Sequence, residues 1–219
     1  ILVGCILAKL FMVKYETTTY EVSKDFSDIS ISTDTADIIF ALSDDGTCKV
    51  ECYEEENAKH SVAVENDVLI VKTNKSWYDY IGYSFGWSKI TIYLPKEEYS
   101  ELSINESTGT VEIPKDCLFE NVNISTSTGD VNFCASVSKL VKIKTSTGNI
   151  CVENISAGAL DLSVTTGKVT VSGVTCQDDI TVSVVTGNAY LTDSSCRSVI
   201  SSATTGNISL NNVIQEVHP

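Results

Sequence analysis

From residue 102 onward, apolar and polar positions alternate in short runs, and the runs return with a fixed period. One set of apolar positions is Leu102, Val122, Val141, Leu160, Ile180 and Val199, with Ile104, Ile124, Ile143, Leu162, Val182 and Ser201 two places on. A second set is Val111, Val131, Ile150, Val169, Ala189 and Ile208, with Ile113, Phe133, Val152, Val171, Leu191 and Leu210 two places on. The residues between them, such as Glu112, Asn132, Thr170 and Ser209, are mostly polar. Alternation of this kind marks strands with one buried face. Between the two sets stands a Thr-Gly pair, at Gly109, Gly129, Gly148, Gly167, Gly187 and Gly206, with steps of 20, 19, 19, 20 and 19 residues. A constant period of that size is the signature of a solenoid. The expected unit is a coil of two strands joined at a Thr-Gly corner, where glycine allows a sharp turn. A single coil is too thin to bury its own apolar face, so the coils must stack. Asn149, Asn188 and Asn207 follow the glycine in three coils, which predicts an amide ladder along the corner.

The pattern reaches back toward the N-terminus. Residues 32–40 align with 125–133, with Ala36 in place of the corner glycine, and read as a first, degenerate coil with a differently shaped corner. Ser43-Asp44-Asp45-Gly46 signals a turn, and alternating runs follow at Cys48–Tyr53, Ser61–Glu65 and Val68–Val71. Asn66-Asp67 between the last two predicts a hairpin. Ile90–Leu94 reads as a strand stopped by Pro95. The expected fold is therefore all-β, a single-domain parallel β-helix with 19–20-residue coils. It has an irregular first part over 14–101 and regular coils over 102–213, about seven coils in all. Right-handed winding is favoured, as for crossovers generally.

Residues 1–13 are strongly apolar, and the run is shorter than the roughly 20 residues that span a bilayer. They are expected to be the end of a membrane-anchor segment or its remnant. Leu2-Val3-Gly4-Cys5 also resembles a lipoprotein box, but the apolar run continues after Cys5. The formal net charge of −14, with one arginine at Arg197, argues against nucleic acid as a partner.

Candidate chemistry is sparse. The carboxylates expected to face outward, Glu112, Asp130, Glu153 and Asp161, are scattered among Asn, Ser and Thr, so no catalytic residue is assigned. His60 and His218 lie outside the repeats, and there is neither a CxxC pair nor an HExxH, so no metal and no cofactor are expected. Cys48 and Cys52 share a strand face about 13 Å apart, too far to bridge. Cys176 and Cys196 occupy equivalent positions of successive coils, about 4.8 Å apart, which is within disulfide range. Buried free thiols are the favoured reading there as elsewhere. The candidate binding element is the run Trp77, Tyr78, Tyr80, Tyr83, Phe85 and Trp87, either a platform for sugar, lipid or protein or a lid over one end of the stack.

The repeated Ser/Thr-Thr-Gly-Asp/Asn-Val/Ile motif, the Ile90–Pro95 strand before the repeats and the opening Val13–Thr17 together resemble the "putative adhesin" β-helix family of bacterial cell-envelope proteins, which includes LiaX-like proteins. The resemblance spans roughly 13–213. It implies a parallel β-helix outside the membrane behind an N-terminal anchor, with no established catalytic residues. The expected function is a non-catalytic, membrane-anchored adhesin-like or interaction module facing outside, with an envelope protein or glycan as partner. The alternatives are a polysaccharide-processing β-helix enzyme and a regulator or sensor of envelope stress.

Overall fold

The computed structural model describes residues 14–56, 58–74 and 87–215. The expected anchor segment, residues 1–13, lies outside them, as do Trp77, Tyr78, Tyr80, Tyr83, Phe85 and His218. No helix among the described residues is long and apolar enough to cross a membrane.

Strands β1 to β16 join in one sheet wound into a solenoid. The regular coils are β7 (Glu98–Thr108) with β8 (Val111–Ile113), β9 (Leu118–Thr128) with β10 (Val131–Phe133), β11 (Ser136–Glu153), β12 (Ser156–Ser172), β13 (Thr175–Cys176) with β14 (Asp179–Cys196), and β15 (Ser198–Thr205) with β16 (Ile208–Gln215). Neighbouring coils pair in parallel, and equivalent positions meet. Leu102 lies opposite Val122, Val122 opposite Val141, Val141 opposite Leu160, and Leu160 opposite Ile180. All five are buried, so the column forms one continuous core, as the alternation predicts.

Each coil also has a third, shorter strand segment that the two-strand unit lacks. Its inward column runs Tyr99, Phe119, Val137, Ala157 and Cys176, and all five are buried. The side chains shrink from tyrosine to alanine along the stack, so no single residue type marks this column in the sequence. Phe26 stacks on Tyr99 with centroids 5.6 Å apart, and Phe40 meets Phe119 edge-on at 6.3 Å, which fills the wide end.

The corners follow from backbone geometry. The six glycines have φ between 136° and 152°, a region that only glycine visits readily. A Cβ on any of them would lie 1.6–2.0 Å from the carbonyl oxygen of the corner residue one coil earlier. The amide ladder takes a different form from the one expected. The Asp130 carboxylate accepts from the Asn149 amide nitrogen at 2.7 Å, Asn149 Oδ1 from the Lys168 amide at 3.1 Å, and Asn188 Oδ1 from the Asn207 amide at 3.0 Å. Side-chain oxygens cap backbone N–H groups of the next coil, so an aspartate serves as well as an asparagine.

The N-terminal part departs from chain order. β2 (Asp28–Leu42) is a coil in the predicted register, with Thr35 opposite Thr108. It is not the first in the stack. β5 (Val68–Thr73) pairs in parallel with Asp28–Ser32, and β6 (Ser88–Leu94) with Ala36–Leu42, so a further coil lies outside it. Ala36 keeps φ out of the left-handed region, and β2 passes through its corner unbroken. Antiparallel strands then cover the end. β3 (Cys48–Glu55) pairs with β6, β1 (Tyr15–Val22) with β3, and β4 (His60–Glu65) with β5 across the predicted Asn66-Asp67 turn, whose φ values are 50° and 68°. An exposed parallel edge would offer unpaired N–H and C=O groups, and the returning strands occupy it.

Candidate functional site

The capped end carries two features, one on its surface and one beneath. On the surface, β1 and β3 run antiparallel with Thr17 opposite Tyr53 and Tyr15 opposite Glu55. This register places Tyr15 and Tyr53 diagonally on one outward face, where their rings stack with centroids 5.2 Å apart. The Tyr15 hydroxyl donates to Glu55 Oε1 at 3.2 Å, and the Trp87 amide bonds to the same phenol. Burial first, and then the Glu55 charge, raises the Tyr15 pKa above the ordinary phenol value. Trp87 Nε1 donates to Asp37 Oδ2 at 2.6 Å, while Asp37 Oδ1 accepts the Thr110 amide at 2.9 Å. Trp87 is thereby tied to the corner ladder, yet it is 58 % exposed, and Tyr53 is 47 % exposed. Of the predicted aromatic run, Trp87 alone falls among the described residues, and it stands beside two tyrosines that sequence reasoning did not single out. The signal for them was available: Tyr15 and Tyr53 occupy outward positions of alternating strands, but their pairing depends on an antiparallel return that the pattern does not declare.

Beneath this surface, alternation on β3 turns Cys48, Val50, Cys52 and Glu54 inward. Glu54 is fully buried, and its Oε2 accepts from both the backbone amide and the Nδ1 of His60, each at 2.7 Å. His60 Nε2 lies 3.2 Å from the Thr33 hydroxyl, and the Tyr20 hydroxyl donates to the His60 carbonyl at 2.9 Å. Cys52 Sγ, a Glu54 oxygen and a His60 ring nitrogen all lie within 4.8 Å of one another. Glu54 Oε1 is buried without a hydrogen-bond partner among the described residues. Burial pushes the Cys52 thiol up to about 12. Spacing rules built on CxxC and HExxH do not find this set, because Cys52-x-Glu54 lies on one strand face and His60 arrives on another strand.

The outward carboxylates do not converge. Asp130 is engaged by Asn149, Glu153 Oε1 accepts from Cys151 Sγ at 3.3 Å, and Asp161 pairs with Lys142 at 3.7 Å. Arg197 is held by Asp178 at 3.0 Å and by Asp179 at 3.1 Å. The described cysteines, Cys48, Cys52, Cys117, Cys134, Cys151, Cys176 and Cys196, are all free thiols. Cys134 and Cys151 are half-buried.

Stacked parallel coils with Thr-Gly corners, closed at one end by antiparallel strands, define an all-β parallel β-solenoid. The chain belongs to the Toastrack DUF4097 family, which matches residues 26–212. Among solved structures it is similar to a "putative adhesin" of Bacteroides fragilis, with 22% identity over 90% of this chain and 97% of that one and a TM-score of 0.60. It is also similar to a "putative lipid binding protein" of Parabacteroides distasonis, with 13% identity over 90% and 96% of the two chains and a TM-score of 0.44. A third is a "putative cell adhesion protein" of Clostridium sporogenes, with 10% identity over 90% and 99% and a TM-score of 0.41. No curated protein sequence matches the chain.

Proposed function

We propose that this protein is a non-catalytic adhesin-like interaction module, anchored at the bacterial envelope through its N-terminal apolar segment with the solenoid facing outside. Its contact surface is the aromatic patch at the capped end, with an envelope protein or glycan as partner. The observation that carries this reading is the exposed Tyr53 and Trp87 pair, held in place by Tyr15 stacking and the Asp37 hydrogen bond. Rigid aromatic groups of this kind bind sugar faces and protein hot spots at small entropic cost. Family membership and the adhesin-like structural relatives support the same reading.

The competing enzyme reading requires convergent carboxylates, and Asp130, Glu153 and Asp161 are each engaged by a neighbour instead. The test is a crosslinking capture from intact envelopes with wild type and a Tyr53→Ser, Trp87→Ser variant. A partner captured by wild type and lost by the folded variant supports the assignment. Equal capture by both removes the aromatic patch as the contact. Release of sugar fragments from envelope polysaccharide by the wild type would make the protein an enzyme.

A further inference from the structure

The buried cluster under the cap has the composition of a metal site. We propose that Cys52, Glu54 and His60 bind a borderline divalent transition-metal ion of the Zn²⁺ class, which fastens the cap strands β3 and β4 to each other. A thiolate sulfur, an imidazole nitrogen and a carboxylate oxygen are the donor set that such ions prefer. Metal–ligand bonds of about 2.0–2.3 Å put the donors of a filled tetrahedral site roughly 3.5 Å apart. These donors already stand within 4.8 Å of one another, so shifts of about 1 Å form the site, the wider separations closing while His60 Nδ1 and Glu54 Oε2, now 2.7 Å apart, move apart.

Three further observations point to a ligand rather than to plain core packing. Glu54 Oε1 is buried with no partner among the described residues, although an unpaired buried carboxyl oxygen is costly. Cys52, Glu54 and His60 are at most 3 % exposed. The Thr33 hydroxyl bonds the far nitrogen of the imidazole, in the way that outer partners fix the ring of a metal-bound histidine. The charges also balance. On binding, the Cys52 thiol loses its proton to water and forms a metal–thiolate bond. The thiolate and the Glu54 carboxylate then offset the two positive charges of the ion, leaving the buried site neutral.

Topology gives the site a purpose. Cys52 and Glu54 lie on β3, which pairs with β6 and β1, whereas His60 begins β4, which pairs with β5. Thr33 lies on β2, the next coil inward. An ion here joins β3 to β4, the antiparallel partners of the two sides of the outer coil, and reaches β2 through the Thr33 hydrogen bond.

Titration of the reduced, chelator-treated full chain with Co²⁺ tests the assignment. The expected result is a thiolate-to-cobalt charge-transfer band with tetrahedral ligand-field absorption, saturating at one ion per chain and displaced by Zn²⁺. Cys52→Ser should abolish the band, His60→Gln should weaken binding at least tenfold, and Zn²⁺ should raise the Tm of the wild type alone. Circular dichroism checks that the variants are folded. A wild type with no charge-transfer band overturns the proposal whether or not the variants fold. So does a band that survives Cys52→Ser and disappears in Cys151→Ser, which would move the ion to the half-buried Cys134 and Cys151 on the coil face.

Discussion

At the scale of single residues, the least expected position is Glu106. It points into the core with 2 % exposure, and neither carboxyl oxygen has a well-formed hydrogen bond among the described residues, the Ala36 backbone amide being the polar group that approaches it. Its column runs Thr33, Glu106, Thr126, Thr145, Val164 and Val184, so a polar stripe that starts at His60 gives way to valine along the stack. Burial pushes the Glu106 carboxyl up to about 8, with the Ala36 amide opposing and the Asp37 charge adding to the rise. Below about pH 4.5, its ordinary value, folded and unfolded chains both hold the proton. Between about 4.5 and about 8 the unfolded chain releases it and the folded chain keeps it. Stability therefore falls as pH rises through that window and levels off above it. Glu106→Gln removes the ionisation and keeps the shape. Urea denaturation should find the variant roughly 2–4 kcal/mol more stable than wild type at pH 8, with the gain shrinking below about 1 kcal/mol at pH 4.5. A gain that does not change with pH would mean that the carboxyl titrates normally.

At the scale of strands and corners, the repeat was legible because stacking forces equivalent positions to carry equivalent chemistry. The six glycines, the two main apolar columns and the register of β2 against β7 all followed from spacing. The third segment did not, because Tyr99, Phe119, Val137, Ala157 and Cys176 share only burial. The position of β5 and β6 outside β2 was also hidden, since alternation says which face of a strand is buried but not which edge finds which partner. The buried Cys52–Glu54–His60 set failed to show for the same reason, being assembled by antiparallel pairing between separate strands. The corner itself makes a sharp expectation. At Gly148 a methyl group meets both a φ of 141° and the Gly129 carbonyl oxygen at 2.0 Å. At Gly46, φ is 73° and nothing lies within 4 Å. Gly148→Ala should therefore cost about 3 kcal/mol or more, from backbone strain and overpacking together, whereas Gly46→Ala should cost about 1 kcal/mol. Chemical denaturation of the two variants decides whether corner glycines are required for close approach or only for turning.

At the scale of the whole molecule, the two ends of the described stack differ. One is covered by β1, β3 and β4, with the Glu54–His60 pair sealed beneath them. At the other, Ile200, Leu210 and Ile214 of β15 and β16 are each more than half exposed, at 55 %, 51 % and 56 %. Stability in a solenoid is close to a sum of coil terms and nearest-neighbour interfaces, so the same side chain counts differently according to whether a coil lies on both sides of it. Leu191 and Leu210 make the comparison directly. They are paired across adjacent coils in one column, yet Leu191 is fully buried and Leu210 is not. Leu191→Ala leaves a cavity between coils and should cost roughly 2–4 kcal/mol, with Leu210→Ala costing less than about 1 kcal/mol. Shifts in urea midpoint at unchanged slope would report both values. Equal costs would mean that in solution Leu210 is covered, by a second copy or by another partner seated on the β15–β16 face, and the concentration dependence of the midpoint would separate these two cases.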